Sequence, residues 1–105
     1  MAMDHVTLDA VTWRETAPGV ERGELPPGAP GAGAAMLRFA AGATTADHRH
    51  PAGEELFVFS GRLRVGDKTL GPGDYLYTPP GGANDVEAFE DSIVFQHQAE
   101  PPEFS

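Results

Sequence analysis

Three side chains near the middle of the chain have the types and spacing to hold a divalent metal ion. His48 and His50 stand one residue apart, and Glu54 follows four residues after the second. Successive side chains of a β-strand alternate faces, so a His-x-His pair written into a strand presents both imidazoles to one side. Neutral imidazole nitrogens and a carboxylate oxygen suit a first-row divalent cation, and a set of three leaves coordination positions open. Glu55 is the rival carboxylate. Parity favours Glu54, which shares a face with Leu56 and Val58 and continues into inward apolar residues, whereas Glu55 points outward.

The elements that must position these groups are short. The stretch GATTADHRHPAGEELFVFSG, from Gly42 to Gly61, reads as a β-hairpin. Thirteen glycines and ten prolines are spread along the chain and cut it into brief segments, the pattern of an all-β domain. Strands are expected around Val6 to Leu8, Ala35 to Phe39, Leu56 to Phe59, Leu63 to Val65, Tyr75 to Thr78, Val86 to Phe89 and Ile93 to Gln96. Gly66-Asp67 is a short hairpin turn between Gly61 to Val65 and Lys68 to Leu70, and a second turn follows at Gly71-Pro72-Gly73-Asp74. Amphipathic helical stretches of ten or more residues are absent. The expected fold class is all-β, an antiparallel β-barrel or jelly roll that leaves few free edges.

The 105 residues fit one domain, spanning 1–105, with an N-terminal segment at 1–12 and a Pro/Gly-rich loop at 25–35. That loop, LPPGAPGAGAA, reads as an exposed linker or as a flap near the barrel mouth. Cysteine is absent, which excludes disulfides and thiolate ligands, so any metal rests on His, carboxylate or neutral oxygen donors. The formal charge of −9 would repel a phosphate backbone and anionic lipid, so neither nucleic acid nor a membrane surface is an expected partner. No apolar run approaches the roughly 20 residues that span a bilayer. The opening MAMDHVTLDA lacks both a basic start and an apolar stretch, and a cytoplasmic location is the default expectation.

With GDYLYTPPGGAN following the His-x-His region, the chain resembles the cupin superfamily. The first cupin motif runs glycine, five residues, His-x-His, three or four residues, Glu, six residues, glycine. Gly42, His48, His50, Glu54 and Gly61 fall on it at every position. The second motif runs glycine, five residues, Pro-x-Gly, two residues, His, three residues, Asn. It matches at Gly73, Pro79 and Gly81, then departs: the histidine position is Asn84 and the closing asparagine position is Ala88. The resemblance implies that His48, His50 and Glu54 are metal ligands, with Asn84 at the fourth corner. An amide oxygen is a weaker donor than imidazole. Either Asn84 is a weak ligand or hydrogen-bonding group beside a three-ligand site, or the site has decayed.

Other candidates are His97, at the end of IVFQHQ, as a general acid/base or substitute ligand, and Arg38, as an anchor for an anionic substrate. Tyr75 and Tyr77 share one face and suit either a pocket wall or a dimer interface. His5 reads as a surface residue and Trp13 as packing under the barrel.

From Trp13 to about Phe104, the chain is most similar to small cupins related to the zinc-binding C-terminal domain of bacterial anti-sigma factors, and to small metal-dependent dioxygenases that cleave diketones and hydroxyketones. HPAGEE and the Pro-Pro-Gly turn carry that similarity. Nothing in the sequence corresponds to a helical sigma-binding domain, which shifts the expectation toward a small enzyme or ligand sensor. The resemblance implies a homodimer holding one divalent ion, Fe, Zn, Ni or Mn, and acting on a small-molecule substrate. Iron implies dioxygen chemistry; zinc, nickel or manganese implies isomerisation or cyclisation. The alternative from another class is a non-catalytic module that binds or senses a metal or small ligand.

Overall fold

The computed structural model describes residues 2–104. Among the described residues, eleven strands follow one another: β1 (Arg14–Ala17), β2 (Val20–Glu24), β3 (Gly33–Phe39), β4 (Thr44–Arg49), β5 (Glu54–Ser60), β6 (Leu63–Val65), β7 (Lys68–Leu70), β8 (Tyr75–Thr78), β9 (Ala83–Ala88), β10 (Ser92–Gln98) and β11 (Glu103–Phe104). They form two antiparallel sheets, one ordered β1-β2-β3-β10-β5-β8 and the other β11-β4-β9-β6-β7. The architecture is the expected all-β jelly roll, with two facing sheets rather than one continuous closed barrel.

Alternation explains why the sheets face each other. In β5, Glu54, Leu56 and Val58 are buried while Glu55, Phe57 and Phe59 are exposed; in β10, Ser92, Val94, Gln96 and Gln98 are buried. The core joins Val20, Phe39, Leu56, Val58 and Val94 of the first sheet to Leu63, Val65, Leu70, Val86 and Ala88 of the second. Burying such side chains is worth roughly 1.5–3 kcal/mol each. Toward one end the same inward rows turn polar, with Glu54, Gln96 and Gln98 succeeding the apolar residues.

The expected strand at Val6 to Leu8 is not formed. Leu8–Ala10 instead makes a single 3₁₀ turn. Val6, Leu8 and Val11 line a groove with Met36, Phe57 and Phe95 on the outside of the first sheet, and Val6 and Leu8 stay exposed there. Strands β1 and β2 are not expected from the sequence, because RETA and VERGE lack an apolar alternation. β4 and β5 form within Gly42 to Gly61 as expected, but not as a hairpin: β4 pairs with β9 and β11, β5 with β10 and β8, and the chain between them crosses from one sheet to the other. The Pro/Gly-rich segment connects β2 to β3, and its Gly31 reaches the wall of the interior cavity. Among the described residues, no helix is long and apolar enough to cross a membrane.

Candidate metal centre

A cavity of about 320 Å³ opens between the sheets where the inward rows become polar. His48, His50 and Glu54 line it together with Arg22, Gln96 and Gln98. His48 reaches it through a bulge: Thr45 pairs with Val86 and His48 with Asn84, so β4 carries one more residue than β9 between these pairs. An extra residue re-aims the side chains beyond it. Both Thr45 and His48, three apart, thereby line the cavity. His50 lies just past the end of β4 and is completely buried. Its amide donates to the Gly82 carbonyl at 2.9 Å, and its carbonyl accepts from Gly81 N at 2.8 Å, so the Pro-Pro-Gly-Gly turn holds the histidine backbone.

The polar network around the pair has a fixed direction. Arg22 can only donate, so its Nη1 contact requires the Gln96 amide to offer Oε1, leaving Gln96 Nε2 to donate to Glu54 Oε2. Gln98 Nε2 donates to the Gly31 carbonyl at 2.6 Å, which turns Gln98 Oε1 toward His50 Nδ1 at 3.1 Å. Nδ1 therefore carries the proton of the neutral ring, and Nε2 presents its lone pair. That nitrogen lies 3.3 Å from Glu54 Oε1, yet it is buried with no hydrogen-bond partner. Two buried acceptors facing each other at this distance are held together by a cation between them, either a proton or a metal ion.

His48 stands beside this pair, its ring centroid 4.7 Å from that of His50 in an edge-on arrangement. Its Nδ1 donates to the Ala46 carbonyl at 2.7 Å, leaving Nε2 free, and Phe104 stacks on the ring at 5.0 Å. Asn84 faces His48 across the β4–β9 register; its Nδ2 donates to Thr78 Oγ1 at 3.3 Å, and its Oδ1 is buried without a partner. Among the described residues, no three His, Asp or Glu side chains converge as a ready-made metal group. The donor chemistry nevertheless fits a divalent cation, because a buried unpartnered imidazole nitrogen faces a carboxylate and an unpartnered amide oxygen lies on the neighbouring strand. A ligating histidine usually donates its other ring N–H to an acceptor oxygen, and Gln98 Oε1 fills that position for His50.

The remaining candidates lie elsewhere. His97 is on the outer face of β10, 3.7 Å from Glu55, and both side chains are about half exposed. Tyr75 and Tyr77 are exposed on the outer face of β8, and Tyr75 donates to Glu55 at 2.7 Å. This bond raises the Tyr75 pKa above its ordinary value, the nearby carboxylate disfavouring the phenolate. Arg38 pairs with Glu21 at 2.9 Å and lies over Trp13, 4.3 Å from the ring centre, outside the cavity. His5 is exposed. Of the histidines, the structure brings only His48 and His50 to the cavity.

Three cavity residues, Arg22, Gln96 and Gln98, went unread in the sequence. Gln96 and Gln98 carried a usable signal: they share parity with the apolar Val94, so the face of β10 that enters the core contains them rather than His97. Arg22 sits in the polar run VERGE, which offers no such pattern.

Comparison with known proteins agrees with the fold. Residues 1–102 match the family described as the ChrR Cupin-like domain. The DNA damage-repair/toleration protein DRT102 of Arabidopsis thaliana is 36% identical over 67 residues, covering 58% of this chain but only 22% of that protein's length. Among solved structures, the Rhodobacter sphaeroides SigE complex with the anti-sigma ChrR matches with a TM-score of 0.75 and 28% identity, over 86% of this chain and 49% of that one. An acetylacetone dioxygenase of Acinetobacter johnsonii matches with a TM-score of 0.76 at 16% identity, over 91% of this chain and 73% of its own. The polyketide cyclase RemF of Streptomyces resistomycificus gives 0.78 at 18% identity, over 97% and 84% respectively. The last two likenesses carry the fold alone. The match of residues 1–102 to the family model, on a two-sheet jelly roll, makes this chain a member of the ChrR Cupin-like domain family.

Proposed function

We propose that this chain is a metal-dependent cupin that takes a small organic molecule into its interior cavity, with His48, His50 and Glu54 holding one divalent ion and Asn84 beside it. The observation that carries the proposal is the buried contact of His50 Nε2 with Glu54 Oε1 at 3.3 Å, two acceptors with no donor between them. Bound iron would supply dioxygen chemistry, whereas zinc, nickel or manganese would supply Lewis-acid polarisation of a carbonyl.

The chain's own groups define what the site does around the ion. Gln98 orients the His50 ring and Gln96 orients the Glu54 carboxylate. Leu56, Val65, Val86 and Val94 wall the cavity and exclude water from a small substrate. With Asn84 in place of a fourth imidazole, room remains for a substrate with paired oxygens. That room and the fold likeness to an acetylacetone dioxygenase support an oxidative cleavage of a diketone or hydroxyketone. The exposed Phe57, Phe59 and Tyr77 on the outer face of the first sheet support self-association as a homodimer.

The test is metal analysis of protein purified without added metal, followed by oxygen-uptake assays of Fe(II)-loaded protein with β-diketones and hydroxyketones. Stoichiometric metal that disappears in His50→Ala, together with substrate-dependent uptake, is the expected result. Retention of metal by His50→Ala would overturn the ligand assignment. A second reading, a non-catalytic metal or ligand sensor, is favoured by the similarity to the anti-sigma ChrR. It predicts tight metal retention with no turnover of any substrate.

A further inference from the structure

We propose that Arg22 forms a carboxylate-binding subsite in the wall of the cavity, so that the diketone or hydroxyketone taken up also carries a carboxylate. This rests on reading the cavity as a ligand site, but it does not depend on a metal being bound.

Arg22 is 93% buried, its relative exposure being 7%, and it lines the cavity that also contains His50 and Glu54. A guanidinium has five N–H donors, and this one uses only part of its set inside the protein. Nε donates to Glu24 Oε1 at 2.7 Å and Nη1 donates to Gln96 Oε1. Nη2 is buried with no partner. A buried unsatisfied group on a permanent cation is costly to maintain, and the cost is removed when a ligand supplies the acceptor.

Charge balance on this wall points the same way. Arg14 is the cross-strand neighbour of Arg22 and lines the same cavity. Like charges opposite one another are unfavourable unless an anion separates them. Glu24 provides one carboxylate for both guanidinium groups, lying 2.7 Å from Arg22 and 3.7 Å from Arg14. The cavity also holds the Glu54 carboxylate, and Arg14 is largely exposed, so Arg22 is the buried cation among the cavity-lining residues, in a chain whose overall charge is −9. An acid bound at Arg22 would extend its other end toward His50 and Glu54, since Gln96 links Arg22 to Glu54 by two hydrogen bonds.

The experiment is calorimetric titration of the chelator-treated, full-length protein with malonate and pyruvate, each compared with its neutral amide. The acids are expected to bind and the amides to bind roughly ten- to hundredfold more weakly, as fits a hydrogen bond to a charged group. Arg22→Gln should remove the preference for acid over amide, and Arg22→Lys should retain part of it. Circular dichroism checks that each variant is folded, and the wild-type comparison stands even if neither is. Equal binding of acid and amide, no binding of either, or an undiminished preference in folded Arg22→Gln would each overturn the subsite. Acid binding seen only after metal is restored would place the carboxylate on the ion instead, and would also overturn it. Failure of the wild-type protein to retain metal would leave the preference of the chelator-treated protein in place, which separates this proposal from the metal reading.

Discussion

Gln98 Oε1 accepts a hydrogen bond from His50 Nδ1 at 3.1 Å, and this one contact decides which lone pair His50 offers the cavity. The Gly31 carbonyl fixes the Gln98 amide from the other side. A loop residue, a residue of the last long strand and a residue beyond β4 are thus tied into one tautomer assignment. Gln98→Leu should therefore weaken metal binding without touching a ligand. Loss of such a support typically costs about 10–100-fold in affinity. Competition against a chromophoric chelator, using Zn(II) or Co(II), measures it. Affinity equal to wild type would mean that His50 is not oriented by Gln98, or is not a ligand.

The inward parity of Glu54 was legible because Leu56 and Val58 repeat its face, and the glycine-bounded His-x-His spacing marked the polar end of the barrel. The placement of His97 was not. A histidine at a strand end invites a functional reading, but the Val94, Gln96, Gln98 row takes the interior, and the Glu55 pairing holds His97 outside. Arg22 was illegible for a different reason: a buried arginine depends on partners far away in sequence, here Gln96 across the sheet, and no local pattern encodes them.

Glu24 gives a pH dependence whose direction follows from its neighbours. Burial pushes its carboxyl pKa up, but hydrogen bonds from Arg22 and the Gly31 amide, with the charges of Arg22 and Arg14, outweigh burial and hold it below the ordinary value. The unfolded chain therefore takes up this proton before the folded one does, so stability rises with pH across that window. The contribution is present above the ordinary carboxylate pKa and is lost as pH falls through the depressed folded value. Urea denaturation of wild type and Glu24→Gln from about pH 7 to about pH 3 should show a gap that closes only at the acid end. The carboxylate is partly exposed, so screening keeps the gap modest. A gap constant with pH would mean that Glu24 acts by shape alone.

The glycines that bracket the first motif differ in what they tolerate. Gly61 has φ 90°, and a Cβ there would collide with the Asp91 carbonyl and with Ser92. Gly42 has φ 86° but open space around it. Backbone strain of about 1–2 kcal/mol applies to both, and only Gly61 adds a packing penalty of about 1–3 kcal/mol. Gly61→Ala should therefore lower the urea midpoint clearly more than Gly42→Ala does. Equal effects would show that the Asp91–Ser92 turn moves aside freely.

Asn84→His tests the fourth corner of the site with two readouts that should move in opposite directions. Asn84 faces His48 across β4 and β9, and its Oδ1 is buried and unpartnered, so a new imidazole would start from the side of the site that lacks one. It forfeits the Asn84–Thr78 hydrogen bond, worth about 1 kcal/mol. Metal affinity should nonetheless rise on the order of tenfold, equivalent to about 1.4 kcal/mol. If the corner is where a substrate with paired oxygens enters, the added ligand should also slow turnover, because it occupies a position the substrate needs. Chelator competition reads the first effect and oxygen uptake by Fe(II)-loaded protein the second. Unchanged affinity would show that position 84 does not face the ion. Higher affinity with unimpaired turnover would show that substrate reaches the metal from the Arg22 side of the cavity instead.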